Sequence, residues 1–267
     1  SGDYTTQYYN TNGSILGDPA LQRLTSSGSS TYWTVQSDYT SPVGKGKFES
    51  GLRAAVRDNK NVNDNAAFDY DLNKFIIIPS ASSNYKYTDE VYAAYSTYSN
   101  KLGENFSYQL GLRAESSQYR GTLLSTGETF SNKYPIEFFP SVFVTQTLSP
   151  GQDMQLNYSR RINRPNFWQQ IPYYDVSDLL NIRVGNPGLK PEFTNSFELN
   201  YSKSLGSGHS LLTSAYFKQT NNLITNYQSR QYNVPLPDGK LDSAMVISYI
   251  NANSSRSYGL EITSKNP

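Results

Sequence analysis

The sequence predicts an all-β chain, an antiparallel up-and-down meander of about eleven strands forming a transmembrane β-barrel. Three observations carry that expectation. The composition is aromatic-rich and charge-poor. Long segments alternate apolar and polar residues with period two. Tight and long connections follow one another along the chain.

The 267 residues are 36% hydrophobic and 17% charged, with 23 Tyr, 12 Phe and no Cys. About a quarter of an ordinary globular chain is charged. Here Ser, Thr, Asn, Gln, Gly and Tyr fill the space. A disordered chain would have few aromatics. A helical membrane protein needs apolar runs of about twenty residues, and the longest here are short, such as Phe75-Ile76-Ile77-Ile78. The formal net charge is +1, and basic and acidic residues are interspersed. A nucleic-acid partner, which needs a basic patch, is not expected. Without Cys there is no disulfide, thiolate metal site or cysteine nucleophile. The chain opens Ser1-Gly2-Asp3 with no signal peptide, which reads as a mature start or a cut one.

The alternation is read strand by strand. Leu52, Ala54 and Val56 alternate with Arg53, Ala55 and Arg57. Phe106, Tyr108, Leu110, Leu112 and Ala114 alternate with polar or small residues between Glu104 and Glu115. Met154, Leu156 and Tyr158 alternate with Gln155, Asn157 and Ser159. Phe193, Phe197, Leu199 and Tyr201 share one parity, opposite Glu192, Glu198 and Asn200. Tyr258, Leu260 and Ile262 close the series. Each such segment shows hydrocarbon on one side and water on the other. Phe106, Leu110, Leu112, Phe197, Leu199 and Tyr201 are expected to face lipid. Glu104, Gln109, Arg113, Glu115, Glu198 and Asn200 are expected to line the interior.

Tight connections fall at 42–46, 100–103, 149–152, 206–209 and 253–256, each rich in turn formers. Long ones fall near 10–31, 59–85, 119–134, 163–190 and 221–243. Outer-membrane barrels have this asymmetry, with short periplasmic turns and long extracellular loops. A soluble β-sandwich binding carbohydrate through Tyr and Trp is the runner-up, and a glycan-active enzyme the third reading.

The stretch Asn157-Tyr158-Ser159-Arg160-Arg161-Ile162-Asn163-Arg164-Pro165 precedes Gly185-Asn186-Pro187-Gly188-Leu189-Lys190-Pro191-Glu192. This pairing resembles the late-barrel signature of TonB-dependent outer-membrane receptors, and more narrowly the outer membrane β-barrel family common in Bacteroidetes. Asp38-Tyr39-Thr40-Ser41-Pro42 with Gly46–Gly51, Asp89–Tyr95, Gly111–Glu115 and Phe139-Pro140-Ser141 agree with it. The resemblance implies a barrel of about 22 strands, of which residues 1–267 would form roughly half. It implies outer-membrane lipid, the receptor's own plug domain and an inner-membrane energy-coupling protein as partners. It allows a surface lipoprotein as well. The imported ligand would be scarce: a glycan, an iron chelate or similar. The chain itself shows no plug domain, no energy-coupling box and no terminal aromatic strand, so it reads as a portion of the barrel.

Under that resemblance, Arg160, Pro165, Asn186, Pro187, Lys190, Pro191 and Glu192 are family-motif residues expected to fix structure. Arg160 is expected to snorkel at the interface. Arg161 is expected to face the lumen, or else Arg161 or Arg164 binds an anionic ligand or the plug; Pro165 and the Gly-Asn-Pro block are expected to fix the loop. Trp168, Tyr173 and Tyr174 either stack on a ligand or belong to an aromatic girdle. Asp175, Asp178 and Glu192 invite an enzyme reading, but their spacing forces no paired-carboxylate cleft. His209 is the only histidine, and it falls in a tight turn. No catalytic triad, zinc site or cofactor is expected. Asn61-Val62-Asn63-Asp64-Asn65 reads as a polar loop. A partial barrel has open edges, so the chain is expected to close on itself as a smaller barrel or to be capped by other chains.

Overall fold

The computed structural model describes residues 1–176, 181–206, 208–235 and 241–266. Its strands in chain order are β1 (Gly2–Thr6), β2 (Ala20–Val43), β3 (Gly46–Asp69), β4 (Lys74–Ile77), β5 (Ser83–Leu102), β6 (Phe106–Leu123), β7 (Thr129–Ser149) and β8 (Gln152–Asn163). There follow a one-turn helix α1 (Phe167–Gln170), then β9 (Tyr174–Asp175), β10 (Ile182–Val184), β11 (Glu192–Gly206), β12 (His209–Asn221), β13 (Ile224–Pro235), β14 (Leu241–Asn251) and β15 (Ser254–Lys265).

The main sheet has eleven strands in the order β1-β2-β3-β5-β6-β7-β8-β11-β12-β15, with β4 folded back on the end of β3. Every neighbouring pair in it is antiparallel. This is the expected meander. The sheet is open, with β1 and β15 at its edges, so the chain has not closed on itself as a smaller barrel.

The register sorts the side chains by face. Val35, Leu52, Leu112, Leu156, Leu199 and Leu260 share one face and stay solvent-exposed, from 44% for Leu199 to 71% for Val35. Among the described residues no second sheet packs on this face, as a sandwich would require. A row of half-exposed aliphatic side chains on one face is what lipid contact demands. The opposite face is polar and internally bonded. Gln36 donates to Asp38 (2.9 Å) and to the Tyr95 hydroxyl (3.1 Å), and Tyr95 donates to Asp38. Arg113 pairs with Glu115. Gln109, Arg113, Glu115, Glu198 and Asn200 lie on this face as expected. Glu104 does not, because it sits in the turn between β5 and β6.

The apolar band has a sharp upper limit. Above the outward Tyr92, Glu90 accepts from Gln118 (2.6 Å) and Arg120 (2.9 Å). Such a charged trio belongs to water and headgroups rather than hydrocarbon, so the band ends between these rows.

The expected long loops are mostly strand. β2 and β3 run 24 residues each, and only about ten residues are needed to cross a membrane. Asn61-Val62-Asn63-Asp64-Asn65 is part of β3, not a loop. The connection expected at 119–134 shrinks to the turn between β6 and β7. Ser, Thr and Asn on both faces hide the alternation above the band. The ladder hydrogen bonds form regardless, since they use the main chain.

The tight connection expected at 253–256 is also no turn. Asn221 pairs with Ser254 and Ile224 with Asn251, so β12–β13 and β14–β15 are the two arms of one bent hairpin. Asn222 takes φ 56°, and its N–H donates to the Asn253 carbonyl (3.1 Å). Both arms bend at one level. Beyond the bend, β13 and β14 form a second sheet with β10 and β9, in which β10 runs parallel to β14.

Two apolar clusters lie at this long-connection end. Tyr85, Tyr87, Tyr119, Leu123, Phe130, Tyr134 and Ile171 form the first, with Phe167 and Tyr173 against them. Val176, Ile182, Val184, Val234 and Val246 form the second. Each fully buried side chain of this size contributes about 1.5–3 kcal/mol.

Candidate functional site

The segment between β8 and β11 builds a roof over the polar face. Its entry is fixed by Arg164, which donates to the Ser117 hydroxyl (2.8 Å) and pairs with Glu115. Pro165 is buried, and its carbonyl accepts from Gln170 (2.6 Å). Asn166 then caps α1, exchanging bonds with Gln169 (3.0 and 2.9 Å). This capping box sets a single helical turn. That turn lays Phe167 against Tyr85, stacked at 4.0 Å, and edge-on to Tyr87 at 5.0 Å.

The Gly-Asn-Pro block closes the roof. A Cβ on Gly185 would lie 2.5 Å from the Ile171 carbonyl oxygen, so only glycine permits this approach. Asn186 accepts from the Gly188 N–H (2.9 Å) and donates to the Tyr249 carbonyl (3.0 Å). The Pro187 carbonyl accepts from the Tyr119 hydroxyl (2.9 Å), and the Leu189 carbonyl from the Tyr134 hydroxyl (3.2 Å). Burial raises the pKa of both phenols, so they stay protonated donors. Lys190 exchanges backbone bonds with the Asn251 side chain (2.8 and 2.9 Å). Pro191 is buried, and its carbonyl accepts from Asn222 (3.4 Å). Glu192 accepts from Asn163 (2.7 Å) and from the Ile224 N–H (2.6 Å).

Under the roof lies a cleft of about 710 Å³. Its floor is a ladder of amides, Asn61, Asn63 and Asn65, flanked by Gln22 and Ser26. Ser26 donates to Asn63 (2.6 Å), Asn63 to the Ser83 hydroxyl (3.1 Å) and Asn61 to the Tyr85 hydroxyl (3.0 Å). Trp168, Tyr173, Arg183 and Tyr249 overhang it. Trp168 is 55% exposed yet braced edge-on by Tyr85 at 5.8 Å. Burial, reinforced by the charge of Asp175, raises the Tyr173 pKa. The cleft offers amide donors and acceptors beside aromatic surface, with Arg183 and Asp175 register partners at its rim.

A model described as the outer membrane protein beta-barrel family matches residues 1–267. The chain belongs to that family. Family and fold place it in the bacterial outer membrane. No curated protein matches it. The copper transporter OprC superposes with a TM-score of 0.62 at 13% identity, over 92% of this chain and 36% of that one. The unliganded ferric citrate transporter FecA gives 0.59 at 13%, over 94% and 34%. The ferric yersiniabactin uptake receptor FyuA from Yersinia pestis gives 0.52 at 14%, over 98% and 35%. At such identities the likeness is one of fold. The chain spans about a third of the length of each of these structures.

The expected site residues scatter within this family member. Trp168 and Tyr173 reach the cleft. Tyr174 donates to Gln231 in the second sheet (2.8 Å). Arg164 is engaged with Glu115, and Arg161 is exposed on the polar face beside Thr194. Arg160 lies over the Phe193 ring at 4.6 Å, donating to the Phe138 carbonyl (2.7 Å) and Glu137 (3.2 Å). Asp178 lies outside the described residues. Sequence reading missed the amide ladder and Tyr249. The signal was present in the odd-numbered Asn59, Asn61, Asn63 and Asn65, a strand periodicity.

Proposed function

We propose that the chain is part of the barrel of a TonB-dependent outer-membrane receptor that imports a scarce ligand such as a glycan or an iron chelate. The plug domain and the inner-membrane energy-coupling protein would belong to the whole receptor. One observation carries the reading. The long-connection end of the polar face is roofed and leaves a cleft with an exposed, braced tryptophan above an amide floor. Rigid concave sites of this kind capture small ligands. In this reading Trp168 and Tyr173 contact the ligand. Arg164, Pro165, Asn186, Pro187, Lys190, Pro191 and Glu192 hold the roof, and Arg160 anchors the barrel at the interface. Arg161 faces the lumen beside the plug.

The test is uptake by cells carrying the intact receptor gene, using radiolabelled ferric siderophores and neutral oligosaccharides as probes. Uptake of at least one probe should vanish when either the receptor or the energy-coupling protein is deleted. Trp168→Ala should weaken its binding by about tenfold, the loss of one stacking contact. Unchanged uptake of every probe in both deletion strains would refute the proposal.

A further inference from the structure

The floor of the cleft has a regular repeat. Asn59, Asn61, Asn63 and Asn65 occupy alternate positions of β3 and therefore share its inward face. Successive members stand about 6.7 Å apart along the strand, and the four span ~20 Å. A second cleft, of about 570 Å³, shares Asn61 and Trp168 with the first and adds Asn59, Gly28 and Ser30. The two clefts thus meet in one trough along the ladder. Gly28 stands opposite Asn61 in the register, and a Cβ there would lie 3.0 Å from Asn61 Oδ1 and 3.2 Å from the Lys60 carbonyl oxygen. Glycine keeps the trough open where the clefts meet.

Three further observations bear on its occupant. The main chain of β3 at Asn61 and Asn63 is committed on both sides, to β2 and to β5, so the trough reads a ligand through side chains. Asn65 is only 5% exposed and lines the cleft, yet among the described residues its side-chain amide has no hydrogen-bond partner. Its main chain is satisfied by the Ser82 hydroxyl (2.9 Å) and the Ile78 N–H (2.7 Å). Buried polar groups are bonded almost without exception, so an open amide lining a cleft is a group kept for a ligand. The charged residues lining the first cleft are Arg183 and Asp175, one of each sign, which gives no net attraction to a highly charged chelate.

A side-chain amide carries a donor and an acceptor, the complement of one peptide unit. Alternate positions of a strand repeat with the same period as alternate residues of an extended peptide, because both have β-strand spacing. A peptide of about six residues therefore meets each amide of the ladder in the same way. A compact chelate or a branched sugar has no such repeat. We propose that the trough binds an extended peptide backbone on the asparagine ladder, with Trp168 and Tyr173 contacting its side chains. The inference rests on the reading of the cleft as a capture site and narrows that reading by ligand class. The backbone comes from one of two sources, a free oligopeptide or the linear peptide of an iron chelate.

The experiment measures binding to the purified full-length receptor by calorimetry. The probes are an acetylated, amidated hexapeptide of alternating alanine and serine, its fully N-methylated form, the same hexapeptide carrying a ferric hydroxamate, ferric citrate and maltohexaose. The hexapeptide should bind about a hundredfold more tightly than its N-methylated form, which loses two or three hydrogen bonds. Asn65→Leu keeps the size and the main-chain bonds and should weaken the hexapeptide about tenfold. Gly28→Val should weaken it by narrowing the trough. Tighter binding of the iron-loaded hexapeptide supports the chelate as the source, and equal binding supports the free oligopeptide. Equal binding of the hexapeptide and its N-methylated form overturns the proposal, as does an unaltered Asn65→Leu variant. Binding of ferric citrate or maltohexaose in place of the hexapeptide also overturns it, and leaves the receptor reading standing. Failure of that reading is seen separately, as uptake indifferent to deletion of the energy-coupling protein. The comparison of probes on the unmutated receptor decides the matter even where a variant fails to assemble.

Discussion

Replacing Gly185 with alanine places a methyl group 2.5 Å from the Ile171 carbonyl oxygen and 2.6 Å from its nitrogen. Both are main-chain atoms, so the roof must shift as a unit. The expected cost is about 1–3 kcal/mol, read as faster protease cleavage between 165 and 176. Gly51→Ala is the control. Its new methyl meets the ends of the Tyr95 and Asp38 side chains, which can rotate away. Asp89 supplies a pH dependence. Burial raises its pKa, against the opposing charges of Arg164 and Arg57. A carboxyl whose folded pKa is raised favours the docked roof when neutral. That contribution is present below the ordinary carboxylate range and lost as pH rises through the raised value. Hydrogen exchange in 164–171 should therefore be slower at pH 4 than at pH 7, beyond the intrinsic rate change, and Asp89→Asn should flatten the difference. Little of this was legible beforehand. The Arg-Pro and Gly-Asn-Pro motifs announced a fixed loop, but Glu115, Tyr119, Tyr134 and Asn251, which fix it, lie far away in sequence.

At the scale of elements, the bend in the last hairpin holds the roof in place. The Asn251 side chain bonds both the N–H and the carbonyl of Lys190, and also the Asn222 carbonyl (2.8 Å). Asn251→Ala should cost about 1 kcal/mol, because it removes two exposed bonds to Lys190 and a part-buried one to Asn222. Faster hydrogen exchange at both 182–192 and 244–251 would show it. If only one segment loosens, the two are not coupled through this side chain. Strands inside the apolar band were readable, since lipid enforces alternation there. Their extensions were not, because water on both sides imposes none. The bend at Asn222 and Asn253 mimicked a turn for the same reason: polar, turn-forming residues mark both.

For the whole molecule, the two-faced sheet makes a direct prediction. Nitroxides at Val35, Leu52, Leu112 and Leu199 in the membrane-embedded protein should collide with dissolved oxygen. Those at Arg53, Arg113 and Glu198 should collide with a water-soluble nickel chelate. Equal response of the two sets would remove the assignment of faces. The edges make another. β1 and β15 present unpaired main-chain groups along their free sides, which attract further strands. The chain alone in detergent should therefore associate through β15, and a proline at Tyr258 on that edge should reduce the association measured by sedimentation.

The 24-residue strands have a last consequence. With about ten residues spent in the bilayer, the rest raises a stiff parapet ~30 Å above it at the usual tilt. The roofed cleft therefore stands at the level of the strand ends, well clear of the bilayer surface. The continuous main-chain ladder of β2 and β3 holds that wall upright.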